Sequence, residues 1–128
     1  MTDWSPALLR HFRSPVGSGL LAGDSTEFGT GEAGAVKSGV RIVYQLALSD
    51  GDIIDRVGWL AFGCPATIAS CSWLAESLVG LSVDRARDLT GGQVMVALDI
   101  PRDRRSRVLV VEDAVRGALD AATTMRDT

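Results

Sequence analysis

Cysteine and histidine are scarce in this 128-residue chain, at two and one respectively, and aromatic residues make up only 5% of it. No apolar run approaches the ~20 residues that span a bilayer. The shortage of cysteine excludes a disulfide framework. Six residues separate Cys64 from Cys71; on one helix the two would stand two turns apart, roughly 10 Å, beyond disulfide reach. The lone His11 has no second imidazole, so it reads as a surface or packing residue rather than a catalyst. No base can be placed beside a nucleophile, and no carboxylate pair can be placed in one cleft, which argues against an enzyme. Excess charge is also lacking. A net charge of -3 and a pI near 5.0 exclude bulk attraction to nucleic acid or to an anionic membrane surface. The opening Met1-Thr2-Asp3-Trp4-Ser5 has neither the basic start nor the apolar run of a secretory signal, and a cytoplasmic protein is expected.

What is present suffices for one core. With 46% apolar residues, the chain predicts a single domain over 1–128, with 1–4 and 126–128 frayed. Ser5-Pro6 followed by Leu8, Leu9 and Phe12 predicts a short amphipathic helix. From Pro15 to Gly39 glycine is dense and periodicity weak, so irregular backbone is expected, with at most a short strand near Phe28. Val40, Ile42, Tyr44, Leu46 and Leu48 alternate with more polar neighbours, Asp50-Gly51 marks a turn, and Ile53 to Phe62 resumes the pattern: an antiparallel hairpin over 40–62. Ile68, Cys71, Ala75 and Leu78 predict a helix over about 66–79, stopped at Gly80. Ser82 caps a short helix reaching Leu89, and Gly91-Gly92 precedes a weaker apolar segment, Val94 to Leu98. A last helix, about 106–125, carries Val108, Val111, Val115, Ala118, Leu119 and Ala122. Helices that must cover one face of a hairpin give an α+β fold with a small antiparallel sheet.

Gly29-Thr30-Gly31-Glu32-Ala33-Gly34 spells a dinucleotide-binding fingerprint, but it leads into a strand, and the βαβ unit that gives the motif meaning is missing. Cys71 falls on the apolar stripe of its helix and reads as core. Cys64 lies between a strand and a helix start, where unpaired N–H groups favour a thiolate. It is the best candidate for a reactive sulfur, with a plain structural cysteine as the competing reading. Pro101 to Arg107 holds four arginines. This run reads either as a solvated loop or as an anion site formed by Arg104, Arg105 and Arg107 at the start of the last helix.

Several segments together resemble the iron–sulfur cluster assembly scaffold family of the IscU and NifU N-terminal type. They are Trp4-Ser5 with His11-Phe12 and Pro15; Gly29-Thr30-Gly31 with Gly34-Ala35; Phe62-Gly63-Cys64-Pro65-Ala66-Thr67-Ile68-Ala69-Ser70-Cys71-Ser72; and Leu109-Val110-Val111-Glu112-Asp113-Ala114-Val115. The spacing fits without gaps from Ser38 through Arg107. The resemblance implies a pocket of three cysteines, an aspartate and a histidine. Here Ser38, Val40, Ser106 and Arg107 stand at four of those positions, and Cys64 alone retains a metal-binding side chain. One thiolate cannot supply the four donors that a [2Fe–2S] unit or structural zinc takes, so no stably bound cofactor is expected.

Three functional expectations follow. The first is a degenerate scaffold that binds or regulates partners in iron–sulfur biogenesis, such as a cysteine desulfurase, without holding a cluster alone. The second is a carrier of an iron–sulfur cluster, iron or zinc that uses Cys64 across a dimer or with external thiols. The third is a small-anion binder using the arginines. Ile100-Pro101-Arg102-Asp103-Arg104 keeps only part of the family's chaperone-recognition loop, which leaves chaperone binding doubtful. Arg107 is expected to pair with a Cys64 thiolate.

Overall fold

A computed structural model describes residues 4–24 and 27–126; of the termini expected to fray, 1–3 and 127–128 lie outside them. The elements run α1 Pro6–Arg13, β1 Gly29–Ala35, β2 Val40–Ser49, β3 Ile53–Phe62, α2 Pro65–Leu78, α3 Val83–Ala86, α4 Gly91–Leu98 and α5 Arg105–Arg126, with 3-10 turns at Val36–Ser38 and Arg102–Arg104. The sheet is antiparallel in the order β1-β2-β3, and the α+β expectation holds.

The predicted hairpin is present, paired from Arg41 with Phe62 to Ser49 with Ile53, with a bulge between Ala47 and Leu48. Its turn uses left-handed backbone at Gly51 and Asp52. Val40, Ile42, Tyr44 and Leu46 of β2 are buried on one face with Ile54 and Trp59 of β3, against Val108, Val111, Ala118 and Leu119 of α5. α2 runs through the middle, with nine of its fourteen residues buried. Its polar residues there are satisfied internally: Ser70 Oγ donates to Ala66 O at 2.6 Å, and the Cys71 carbonyl accepts the Tyr44 hydroxyl at 2.9 Å.

Four expectations need correction or extension. The glycine-dense stretch holds a full strand, β1, paired from Gly29 with Leu46 to Ala35 with Val40. Glycine disfavours strands by intrinsic propensity, but here it is required by approach distance. A Cβ at Gly31 would collide with Ala114 O and Ala118 N of α5, and one at Gly29 with Ala118 O and Ala122 N. The segment Val94 to Leu98 belongs to α4, whose cap is a box in which the Thr90 side chain accepts from Gln93 N and the Gln93 side chain accepts from Thr90 N. Gly91 N–H also donates to the Glu112 carboxylate of α5. Trp4, placed with the frayed end, packs against the core beside the Arg104 guanidinium, 5.8 Å from its ring centroid. α3 carries the expected Ser82 cap but stops at Ala86, short of Leu89.

The segment after α1 returns along the outer edge of β3. Trp59 exchanges backbone hydrogen bonds with Gly19 at 2.7 and 2.9 Å, and Leu21 N–H donates to Gln45 Oε1 at 2.8 Å on the outer face of the sheet. Among the described residues, no helix is long and apolar enough to cross a membrane.

Candidate functional site

The register that pairs Arg41 with Phe62 puts the start of β2 and the end of β3 at one end of the sheet. Ser38 and Gly39 enter there, Gly63-Cys64 leaves there, and the start of α5 arrives beside them. Arg107 Nη1 donates to Ser38 O at 3.0 Å. Gly39, with φ +86°, lies so near that guanidinium that a Cβ would stand 2.9 Å from Nη1. The structure thus joins Ser38 to Arg107. Ser106 and Arg105 are exposed, and Val40 is a core residue, 5% exposed. Val40 therefore contributes to packing and offers no group to a ligand.

Cys64 occupies the cap position of α2, where its carbonyl accepts Thr67 N–H at 2.9 Å and Ile68 N–H at 3.2 Å. The thiol is half-buried, with Sγ 3.7 Å from Thr67 Oγ1. Burial pushes its pKa up, but the Thr67 N–H and hydroxyl, the Ala66 N–H and the Arg104 charge together outweigh burial and leave it below the usual thiol value. The expected charge partner was Arg107; the guanidinium that acts on Cys64 is Arg104. Arg104 belongs to the 3-10 turn before α5, whereas Arg107, on the helix itself, turns toward Ser38. Arg104 Nε is also the one buried side-chain nitrogen or oxygen without a hydrogen-bond partner among the described residues.

A test separates the two arginines. Arg104→Ala is expected to raise the Cys64 pKa and slow its alkylation by iodoacetamide at neutral pH, while Arg107→Ala leaves the pH–rate profile in place. The reverse ordering would return the thiolate to Arg107. Cys71 is fully buried, and burial drives its thiol far above the usual value, in keeping with its reading as core. Among the described residues, no three His, Cys, Asp or Glu side chains come together as a metal ion would need.

Beside this end, on the outer face of the sheet, Val36, Val43, Leu60 and Phe62 line a shallow apolar groove of about 320 Å³ with Arg41 at its rim. Arg41 is ion-paired with Glu32 across β1 and β2. Sequence reading missed this groove, although the half-exposed Leu60 and Phe62 follow from the alternation of β3. It also missed the surroundings of His11, which is buried and hydrogen-bonded to Ser72, sixty-one positions away.

The model of the NifU-like N terminal domain matches residues 3–126. The chain is 29% identical over 125 residues to the mitochondrial iron sulfur cluster assembly protein 2 of Saccharomyces cerevisiae, spanning 97% of this chain and 80% of that protein. It is 29% identical over 116 residues to the iron-sulfur cluster assembly scaffold protein IscU of Rickettsia prowazekii, spanning 91% and 88%. In fold it is similar to the N-terminal part of a NifU-like protein from Brucella abortus, with TM-score 0.72 at 19% identity over 94% of each chain. A SUF-system scaffold protein described as putative, from Fervidobacterium islandicum, gives TM-score 0.67 at 16% identity over 90% and 95%. With nearly its whole length matched, this chain belongs to the IscU and NifU N-terminal family of iron–sulfur cluster assembly scaffolds.

Proposed function

We propose that this protein is a cytoplasmic, single-domain partner in iron–sulfur cluster assembly that keeps the scaffold fold and a docking surface but does not hold a cluster alone, and that it is not itself an enzyme. The observation that carries the reading is the contact of Arg107 with Ser38 O. On this reading a fixed positive charge and a backbone clamp stand at the two positions, 38 and 107, where the family resemblance calls for thiolate donors. Cys64 is then the one cysteine at this end among the described residues, because Cys71 lies in the core. One thiolate meets a quarter of the donor demand of a [2Fe–2S] unit or of structural zinc, so the residues present do not fit either group. The apolar groove of Val36, Leu60 and Phe62 supports a protein partner, for which a cysteine desulfurase or another assembly factor is the proposed class.

Iron, zinc and acid-labile sulfide analysis tests the reading on freshly purified protein and again after anaerobic reconstitution. The expected result is far less than one metal ion per monomer. Iron and sulfide in whole-number ratio to monomer would overturn it. The half-buried, thiolate-favouring Cys64 supports a second reading, a carrier that completes its coordination with outside thiols; a Cys64→Ser protein that binds metal as well as the native one would eliminate it.

A further inference from the structure

We propose that the outer edge of β1 is a docking site for another protein, and that the occupant is a lone extended segment bearing lysine or arginine, which joins the sheet as a fourth strand. β1 pairs with β2 on one side, residue by residue from Gly29 with Leu46 to Ala35 with Val40, and ends the sheet on the other. Among the described residues, no backbone hydrogen bond reaches it from that other side. Every second N–H and C=O along its seven residues therefore points away from β2 without a backbone partner there. The opposite border of the sheet is closed, because β3 exchanges backbone hydrogen bonds with Gly19, Gly80 and Leu81.

The usual devices that blunt an edge are missing from β1. The strand reads GTGEAGA, without proline or lysine, and its pairing with β2 runs without a bulge. α5 lies on its inner face, where Cβ atoms at Gly29 and Gly31 would strike the helix backbone. Two residues of α5 mark the flank of the helix that follows the strand. A Cβ at Gly34 would stand 3.1 Å from Val110 Cγ1, and one at Gly117 would stand 3.3 Å from Gly31 Cα. Both are small and half-buried, so this flank leaves room for the inward side chains of an added strand. Asp113, three residues after Val110 and four before Gly117, shares the flank and is exposed.

The position of α5 decides what can dock. A closed dimer through this edge pairs β1 antiparallel with β1 of a second copy and keeps both inner faces on one side. Two α5 helices would then stand over neighbouring strands about 4.8 Å apart, whereas packed helices keep about 8–10 Å between their axes. A second copy is excluded by this route, as is any partner strand with its own helix on that face. A bare strand fits. Charge selects it further: β1 carries one charged residue, Glu32, which Arg41 answers from the β2 side, and Asp113 is left for a basic residue of the segment. A strand added along β1 is about 23 Å long, so the interface falls at the small end of the specific range and suits a transient encounter.

The probe is the acetylated, amidated peptide Lys-Val-Lys-Val-Lys-Val-Lys, and amide hydrogen exchange of the native protein is the readout. The expected result is new protection at alternate amides of Gly29–Ala35, with no change at the Gly19 and Trp59 amides of the closed border. Methylation of every backbone nitrogen of the peptide removes its ladder donors and keeps its charge, and should abolish the protection. Asp113→Lys reverses an exposed charge and should weaken binding by about tenfold or more. Without peptide, the same β1 amides should stay unprotected at every protein concentration. No protection at millimolar peptide, protection that survives methylation, native binding in Asp113→Lys, or protection of β1 that rises with protein concentration alone would each overturn the proposal.

Discussion

A variant carrying Ser38→Cys, Ser106→His and Arg107→Cys is expected to acquire iron and sulfide on anaerobic reconstitution, where the native chain stays nearly empty. The Ser38 carbonyl and the Arg107 side chain already meet, and Cys64 opens α2 at the same end of the sheet. The three substitutions add two thiolates and an imidazole to that sulfur and remove the guanidinium that repels a metal ion, raising the donor set to four. Val40 is left alone deliberately. Its side chain is 5% exposed in the core, and an aspartate there would bury an unpaired carboxylate at a cost of about 3 kcal/mol or more. Colour, iron and sulfide assays read the gain, and circular dichroism confirms the fold. A folded triple variant that binds no more metal than the native chain would show that something other than ligand loss empties this site. Gain of a cluster by Arg107→Ala alone would point to obstruction instead.

The largest expected loss of stability comes from a single methyl group at Gly31. Its Cβ would fall within the backbone of α5 at Ala114 O and Ala118 N, and Gly117 returns the approach, since a Cβ there would lie 3.3 Å from Gly31 Cα. Backbone cannot rotate aside as a side chain can, so strand and helix must separate along their length. Gly31→Ala is expected to cost about 3 kcal/mol or more, at the upper end for overpacking. Gly92→Ala is the control. Its added Cβ meets only Thr90 Oγ1, at 3.7 Å, and stability should be unchanged or raised by up to ~1 kcal/mol. Urea denaturation of both variants measures the difference. Equal midpoints would mean that the β1–α5 contact is looser than its geometry indicates.

What was legible in the sequence was whatever repeats locally. The hairpin announces itself because Val40, Ile42, Tyr44 and Leu46 face one side, and α2 because Cys71, Ala75 and Leu78 recur at helical spacing. β1 was illegible because its glycines answer to α5, some eighty residues later, and not to their neighbours. α4 was hidden differently. Gly91-Gly92 looked like an interruption, although Thr90 and Gln93 spell a capping box. At the site, composition showed which donors were missing, but which arginine reaches Cys64 depends on where the 3-10 turn gives way to α5. His11 depends on a partner on another helix, which no local pattern can disclose.

One of the two edge strands, β3, bears on self-association. β3 is stitched to the segment after α1 at Trp59, and again at Ile54, whose N–H donates to Leu81 O while its carbonyl accepts Gly80 N–H, both at 2.8 Å. The two stitches are five residues apart, about 16 Å along the strand. An extended segment from a neighbouring molecule would find no uninterrupted ladder between them. The chain's own loops thus serve as a selvedge, and growth into polymer from the β3 edge is opposed without a proline or a row of lysines along that border.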